Sequence, residues 1–109
     1  MFVFTPVRQV KQWPGTIKVS SDGGKVEEVA INFDLVLLPV DDYMEKLNQG
    51  NKVLFDAIMA GFGGIASADG SELADTPENR QALYQHAPFT DALLYAYRAA
   101  NSGEGARKN

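Results

Sequence analysis

Residues 29–37 alternate strictly: Val29, Ile31, Phe33, Leu35 and Leu37 share one parity, and Ala30, Asn32, Asp34 and Val36 the other. A period of two places every second side chain on one face of a pleated strand, so this run needs a sheet with one face against a core. Upstream, Trp13, Gly15, Ile17 and Val19 also share a parity, with Lys18 and Ser20 on the other. Between the runs, Ser21-Asp22-Gly23-Gly24 supplies turn chemistry, including two glycines that accept positive φ. The pattern predicts an antiparallel hairpin centred on residues 21–24. Val26 has the opposite parity to Val29, so the pattern slips across Glu27-Glu28, and a β-bulge is expected there. Phe2 to Val10 is rich in β-formers and predicts a further strand, which Pro6 assigns to a sheet edge.

After Pro39 the period changes. Asp41 or Asp42 is expected to cap a helix carrying Tyr43, Met44 and Leu47 on one side, broken at Gly50-Asn51. Leu54, Phe55, Ile58, Met59 and Phe62 then follow helical spacing, with Gly61 as the stop. Residues 61–75 read as a loop. Thr76-Pro77-Glu78 is a helix start, with threonine at the cap, proline in the first turn and an acid near the positive dipole end. That helix carries Ala82, Leu83 and His86 and is expected to end before Pro88. A last helix is expected from Thr90 or Asp91, with Ala92, Leu93, Ala96, Tyr97 and Ala100 on one face. The order of elements predicts an α+β fold: an antiparallel hairpin or three-stranded sheet over about 2–38, then three to four helices over about 41–100. Residues 1–100 form one domain in this reading, and 101–109 a disordered tail.

The 109 residues suffice for one domain. With 45% hydrophobic residues the chain has an ordinary globular balance. The absence of cysteine removes disulfides, thiol nucleophiles and Cys-ligated zinc or iron–sulfur sites. The longest apolar run, Leu35 to Val40, is far shorter than the roughly 20 residues of a membrane span. The N-terminus lacks the charged and long apolar regions of a signal peptide. Localisation in a cytoplasm is therefore expected. The net charge is −4, and each half of the chain carries five basic and seven acidic residues. Neither half has the positive footprint that nucleic acid or an anionic membrane surface requires, so no nucleic-acid or membrane partner is expected.

No catalytic set emerges. The single histidine, His86, reads as a dipole-placed or surface residue rather than a base or ligand, and no serine stands in a nucleophile elbow. Glu27 and Glu28, adjacent on a strand, would point to opposite faces. Asp41-Asp42 is explained by capping. Gly61-Phe62-Gly63-Gly64 lacks the Gly-Lys-Ser/Thr of a phosphate loop. Ser67 to Glu72 lacks calcium-loop spacing. No enzyme, cofactor or metal site is expected. The aromatic residues are more informative. With Tyr97 on the buried face of the last helix, Tyr95 and Arg98 lie about 200° and about 100° away. They are interface-prone residue types, although Tyr95 at this phase also fits packing against another helix. Phe2 and Phe4 offer a second surface, by strand addition. An edge strand and apolar helix faces permit a homo-oligomer without requiring one.

Two segments resemble the phage tail assembly chaperones of siphovirus-type tails. Trp13-Pro14-Gly15-Thr16-Ile17-Lys18-Val19, the glycine turn and Asn32-Phe33-Asp34-Leu35 resemble their N-terminal hairpin. Gly61 to Ile65, Asp69-Gly70, Thr76 to Leu83, Pro88-Phe89 and Ala92-Leu93-Leu94-Tyr95-Ala96-Tyr97 resemble their C-terminal half. The likeness spans most of residues 13–100, and the order and spacing of the motifs carry it. Phe62 stands where the family often has tryptophan. The resemblance implies a non-catalytic morphogenesis factor in the bacterial host cytoplasm, active for a phage or prophage. It would bind the tape measure protein, help recruit tail tube subunits and be absent from the finished virion. Many such proteins are also made in a longer, frameshifted form. The alternative is a small structural protein retained in the virion, such as a tail completion or connector subunit. From helical phase, and not from the family, Phe62, Phe89, Tyr95 and Arg98 are the expected partner-binding residues.

Overall fold

A computed structural model describes residues 1–103 of the chain. Strands β1 (Arg8–Ser21) and β2 (Lys25–Leu37) pair antiparallel, from Arg8 opposite Leu37 to Ser21 opposite Lys25. They are joined by a 3-10 turn over Asp22–Gly24, in which Gly23 and Gly24 have φ of 76° and 78°. Such left-handed backbone costs a side chain with a Cβ about 1 kcal/mol, which is why two glycines stand there. Helices α1 (Val40–Asn48) and α2 (Asn51–Ile58) follow, separated by Gly50 at φ 120°. The chain then enters β3 (Met59–Gly63) and closes with α3 (Pro77–Tyr84) and α4 (Ala87–Ser102). The sheet order is β1-β2-β3, antiparallel throughout. The expected α+β class is the observed one.

One face of the sheet is covered by the helices. Phe33 and Leu35 of β2, Leu54 and Ile58 of α2, and Phe89 and Leu93 of α4 have almost no exposed surface. Each such side chain contributes roughly 1.5–3 kcal/mol by burial. Gly15 is needed for close packing here, since a Cβ at that position would come within 2.6 Å of the Phe33 ring. Beyond the helices the hairpin continues uncovered, and every residue from 18 to 30 is exposed. A strand of 14 residues spans about 45 Å, close to the molecule's longest dimension of 48 Å.

Several boundaries differ from the sequence expectation. Residues 1–7 form no strand, and the third strand comes instead from Met59–Gly63. The α2 helix therefore stops at Ile58, before Gly61. Met59 and Phe62, three apart, both reach the core because Ala60 is an extra residue between the Leu35–Met59 and Asp34–Gly61 pairs. No bulge occurs at Glu27-Glu28, where pairing is continuous. The bulge in β1 lies at Lys11-Gln12, two residues opposite Asp34 alone. Gln12 has φ 52°, and its N–H donates to the Asp34 carboxylate at 2.9 Å. This offset returns both Val10 and Trp13 to the core face. Asp34 thus serves two irregularities, because its carboxylate also lies over Gly61, where a Cβ would come within 3.1 Å.

The helix starts also shift. Pro39 occupies the cap of α1, and Asp41 and Asp42 sit in its first turn without a side-chain cap bond. The α3 helix ends at Tyr84, before Pro88 as expected, but His86 stands at the cap of α4 rather than within α3, and α4 starts at Ala87, not Thr90 or Asp91, with Pro88 in its first turn. The α4 helix extends through Asn101 and Ser102 to Gly103 at φ 77°, so the predicted tail is helical at its start. Residues 104–109 of that tail lie outside the described residues. The Thr76 cap is as expected, its hydroxyl accepting the Asn79 N–H at 3.1 Å.

Candidate functional site

The α4 helix is the organising element. Its buried face packs on the sheet, and Tyr97 anchors it to the end of β2, its hydroxyl accepting the Leu38 N–H at 3.1 Å. Burial raises the Tyr97 phenol above its ordinary value; the Leu38 N–H opposes that shift and Tyr43 adds to it. The Tyr43 ring of α1 stacks on Tyr97 with centroids 5.4 Å apart at 25°. This contact fixes α1 beside α4 and leaves a groove of about 400 Å³ between them.

The groove walls are Leu38, Val40, Tyr43, Tyr97, Arg98, Asn101 and Ser102. Val40, Met44 and Leu47 follow i, i+4, i+7 spacing along α1 and remain 74%, 48% and 37% exposed. Amphipathic helices turn such a stripe toward a core, yet none of these three residues is buried. The stripe meets the groove at Val40. Arg98 stands on the opposite wall, exposed, and its guanidinium makes no hydrogen bond or ion pair among the described residues. An apolar trough with one uncompensated cation suits an amphipathic segment carrying an acidic side chain.

The expected partner-binding residues divide into two pairs. Phe62 and Phe89 meet edge-on, with centroids 6.2 Å apart, and Phe89 also meets Phe33 edge-on at 5.8 Å. Phe89 is 2% exposed and belongs to the core, so it has no surface for a partner. Phe62 is half-buried against that core. Tyr95 and Arg98 are exposed, one turn apart on α4. They face different grooves: Arg98 the one described, and Tyr95 a second of about 230 Å³ between α4 and β1. Sequence reading missed Val40 and the exposure of Met44 and Leu47. Their helical spacing was visible, but spacing alone does not tell a covered stripe from an open one.

A charged cluster that the sequence did not single out joins α2, β3 and α3. Arg80 binds Asp75 through two nitrogens at 2.5 and 2.7 Å and the Met59 carbonyl at 2.9 Å. Tyr84 donates to Asp56 at 2.6 Å, and Lys52 pairs with Asp56 at 3.0 Å. Desolvation works to raise the Asp56 pKa, but the Tyr84 hydroxyl, Lys52 and Arg80 outweigh it and hold the carboxylate below its usual range. Burial, reinforced by Asp56, pushes the Tyr84 phenol well up. These groups compensate one another, and their evident role is to tie α3 to the sheet.

His86 is exposed between α3 and α4, and its ring makes no hydrogen bond or ion pair among the described residues. Asp69 accepts bonds from the hydroxyls of Ser67 and Ser71 and from the Ser71 amide, closing a turn. Those donors, Ser67 first, lower its pKa to about 2. Among the described residues, no three His, Asp or Glu side chains gather to hold a metal ion. No described helix is long and apolar enough to cross a membrane. The chain matches no family model, no curated protein and no solved structure.

Proposed function

We propose that this protein is a non-catalytic tail assembly chaperone of a phage or prophage. In this reading it acts in the bacterial host cytoplasm, binds the tape measure protein and helps recruit tail tube subunits. The motif order over residues 13–100 supplies the family resemblance. The observation that carries the docking role is the α1–α4 groove, where Val40, the first residue of an open stripe that continues through Met44 and Leu47, shares the lining with the uncompensated Arg98. A long helical protein with apolar stripes aggregates unless those stripes are covered. A helix lying in this trough would bury its stripe on α1 and pair an acidic residue with Arg98, while the chaperone's charge of −4 keeps the complex dispersed.

The test is co-expression with the long, helix-rich protein encoded beside it, in both the short form and any fused longer form. Recovery of that protein, soluble and bound, supports the reading. Arg98→Glu and Met44→Asp should each reduce recovery while the domain stays folded. An insoluble partner with both forms, or undiminished recovery with both variants combined, contradicts it. Particle composition separates the alternative: a tail completion or connector subunit is retained in purified virions, whereas a chaperone is absent from them.

A further inference from the structure

Two surfaces of this molecule lack a partner and match each other. The first is the segment before β1. Phe2, Val3 and Phe4 are 81%, 78% and 74% exposed, and residues 1–7 contain no charged side chain. Phe2 and Phe4 share a parity, and the segment is made of β-forming residues up to Pro6. Left in water, such a segment is a strand without a sheet. The second is the outer side of β1. This strand is the edge of the sheet, so its outward backbone groups, a carbonyl alone at Pro14 and both N–H and carbonyl at Thr16 and Lys18, have no strand beside them. Along Trp13 to Lys18, α4 turns Ala92, Ala96 and Ala99 toward that edge. These small, buried side chains let the helix lie close to the strand, and a groove of about 230 Å³ runs along their junction.

The segment cannot fill its own groove as a strand. A fold-back turn at Thr5-Pro6 would set Phe4 beside Val7 and Phe2 beside Gln9. That register ends well short of Trp13–Lys18. Val10, Trp13 and Ile17 are already engaged on the core face, so β1 itself is not free to move aside.

We propose that residues 2–7 of one copy add as a strand to the outer edge of β1 in a second copy, with Phe2 and Phe4 seated against α4. Backbone pairing would supply affinity and the alternate phenylalanines specificity, as in strand addition generally. The contact is heterologous, because the donor segment and the acceptor groove are different surfaces. Each added copy therefore presents another free segment, and assembly closes into a ring or grows as a helical array. This inference does not rest on the chaperone reading, and it uses the Tyr95 side of α4 rather than the Arg98 side.

The experiment uses the full chain, which has no cysteine of its own. Val3→Cys and Thr16→Cys, both on the face turned away from α4 and leaving Phe2 and Phe4 intact, are prepared as separate proteins, mixed under a mild oxidant and resolved without reductant. The expected product is a covalent pair of the two variants. Val3→Cys mixed with Val26→Cys, at the hairpin tip, should give little. In sedimentation velocity the native chain should grow in size with concentration, and Phe2→Ser/Phe4→Ser should remain monomeric with an unchanged far-UV spectrum. Three results would overturn the proposal. One is a native chain that stays monomeric up to millimolar concentration. Another is self-association that survives the Phe2→Ser/Phe4→Ser change. The third is a Val3→Cys/Thr16→Cys double variant that closes its bond within one chain.

Discussion

The two halves of the β1–β2 hairpin share one strand pairing and have opposite fates. At the base, Ile31, Phe33, Leu35 and Leu37 lie beneath the helices and keep at most 6% of their surface. At the tip, Val19, Val26 and Val29 keep 41%, 58% and 46%. The β1–β2 ladder runs through both halves, but only the base has helices over it and β3 as a second neighbour. Burial makes the base specific in register and intolerant of change, because a slip by one residue would turn its apolar face to water. The tip has no covered face to protect, which explains why Val26 and Val29 sit on opposite parities without a bulge to reconcile them. The bulges occur instead at the base, around Asp34, where side chains three residues apart must all reach the core.

Substitutions at matched positions should expose this contrast. Phe33→Ala at the base should cost about 3–5 kcal/mol, read from urea unfolding. Such a loss approaches the whole stability of a small domain, so Phe33→Leu is the practical companion, with a smaller loss in the same direction. Gly15→Ala, which drives a Cβ against the Phe33 ring, should cost about 1–3 kcal/mol. Combined with Phe33→Leu it should cost less than the sum of the two, since the clash is with that ring. Asp34→Ala removes the acceptor for Gln12 and should cost about 1 kcal/mol. Val29→Thr, at the tip, should change stability by less than about 0.5 kcal/mol. A tip substitution as costly as one at the base would mean that the tip is covered in solution.

The helical side has its own handle in pH. Tyr84 and Tyr97 have folded-state pKa values raised above the ordinary 10.0. An unfolded chain therefore loses these protons first, and stability falls as pH rises beyond about 10. Thermal melts across that range should show the decline, and Tyr97→Phe should make it shallower. Asp56 has the opposite sign: its pKa is lowered from 3.8, so its contribution is present above that value and fades as pH drops through the lower folded one. Its part in acid unfolding should vanish in Asp56→Asn.

Legibility in the sequence followed the range of the interactions. The turn at residues 21–24, the Thr76 cap and the buried face of α4 are set by neighbours within a few residues, and all three were readable. The start of β3 was not. Leu54, Phe55, Ile58, Met59 and Phe62 fit a helix period, and only pairing with β2 and the extra Ala60 convert the last two into strand residues. Pro88 was ambiguous for a different reason, because proline serves equally before and inside a helix start. Of the expected docking residues, helical phase placed Tyr95 and Arg98 outside correctly. It had no means of showing that Phe89 fills the core or that the α1 stripe is open.

The most direct measurement is amide hydrogen exchange on the full chain with and without the tape measure protein proposed as its partner. New protection is expected along α1 from Val40 to Leu47 and on α4 around Arg98, with the tip at 19–29 unchanged and still fast. Protection confined to the tip, or none on either helix in a complex that demonstrably forms, would contradict it.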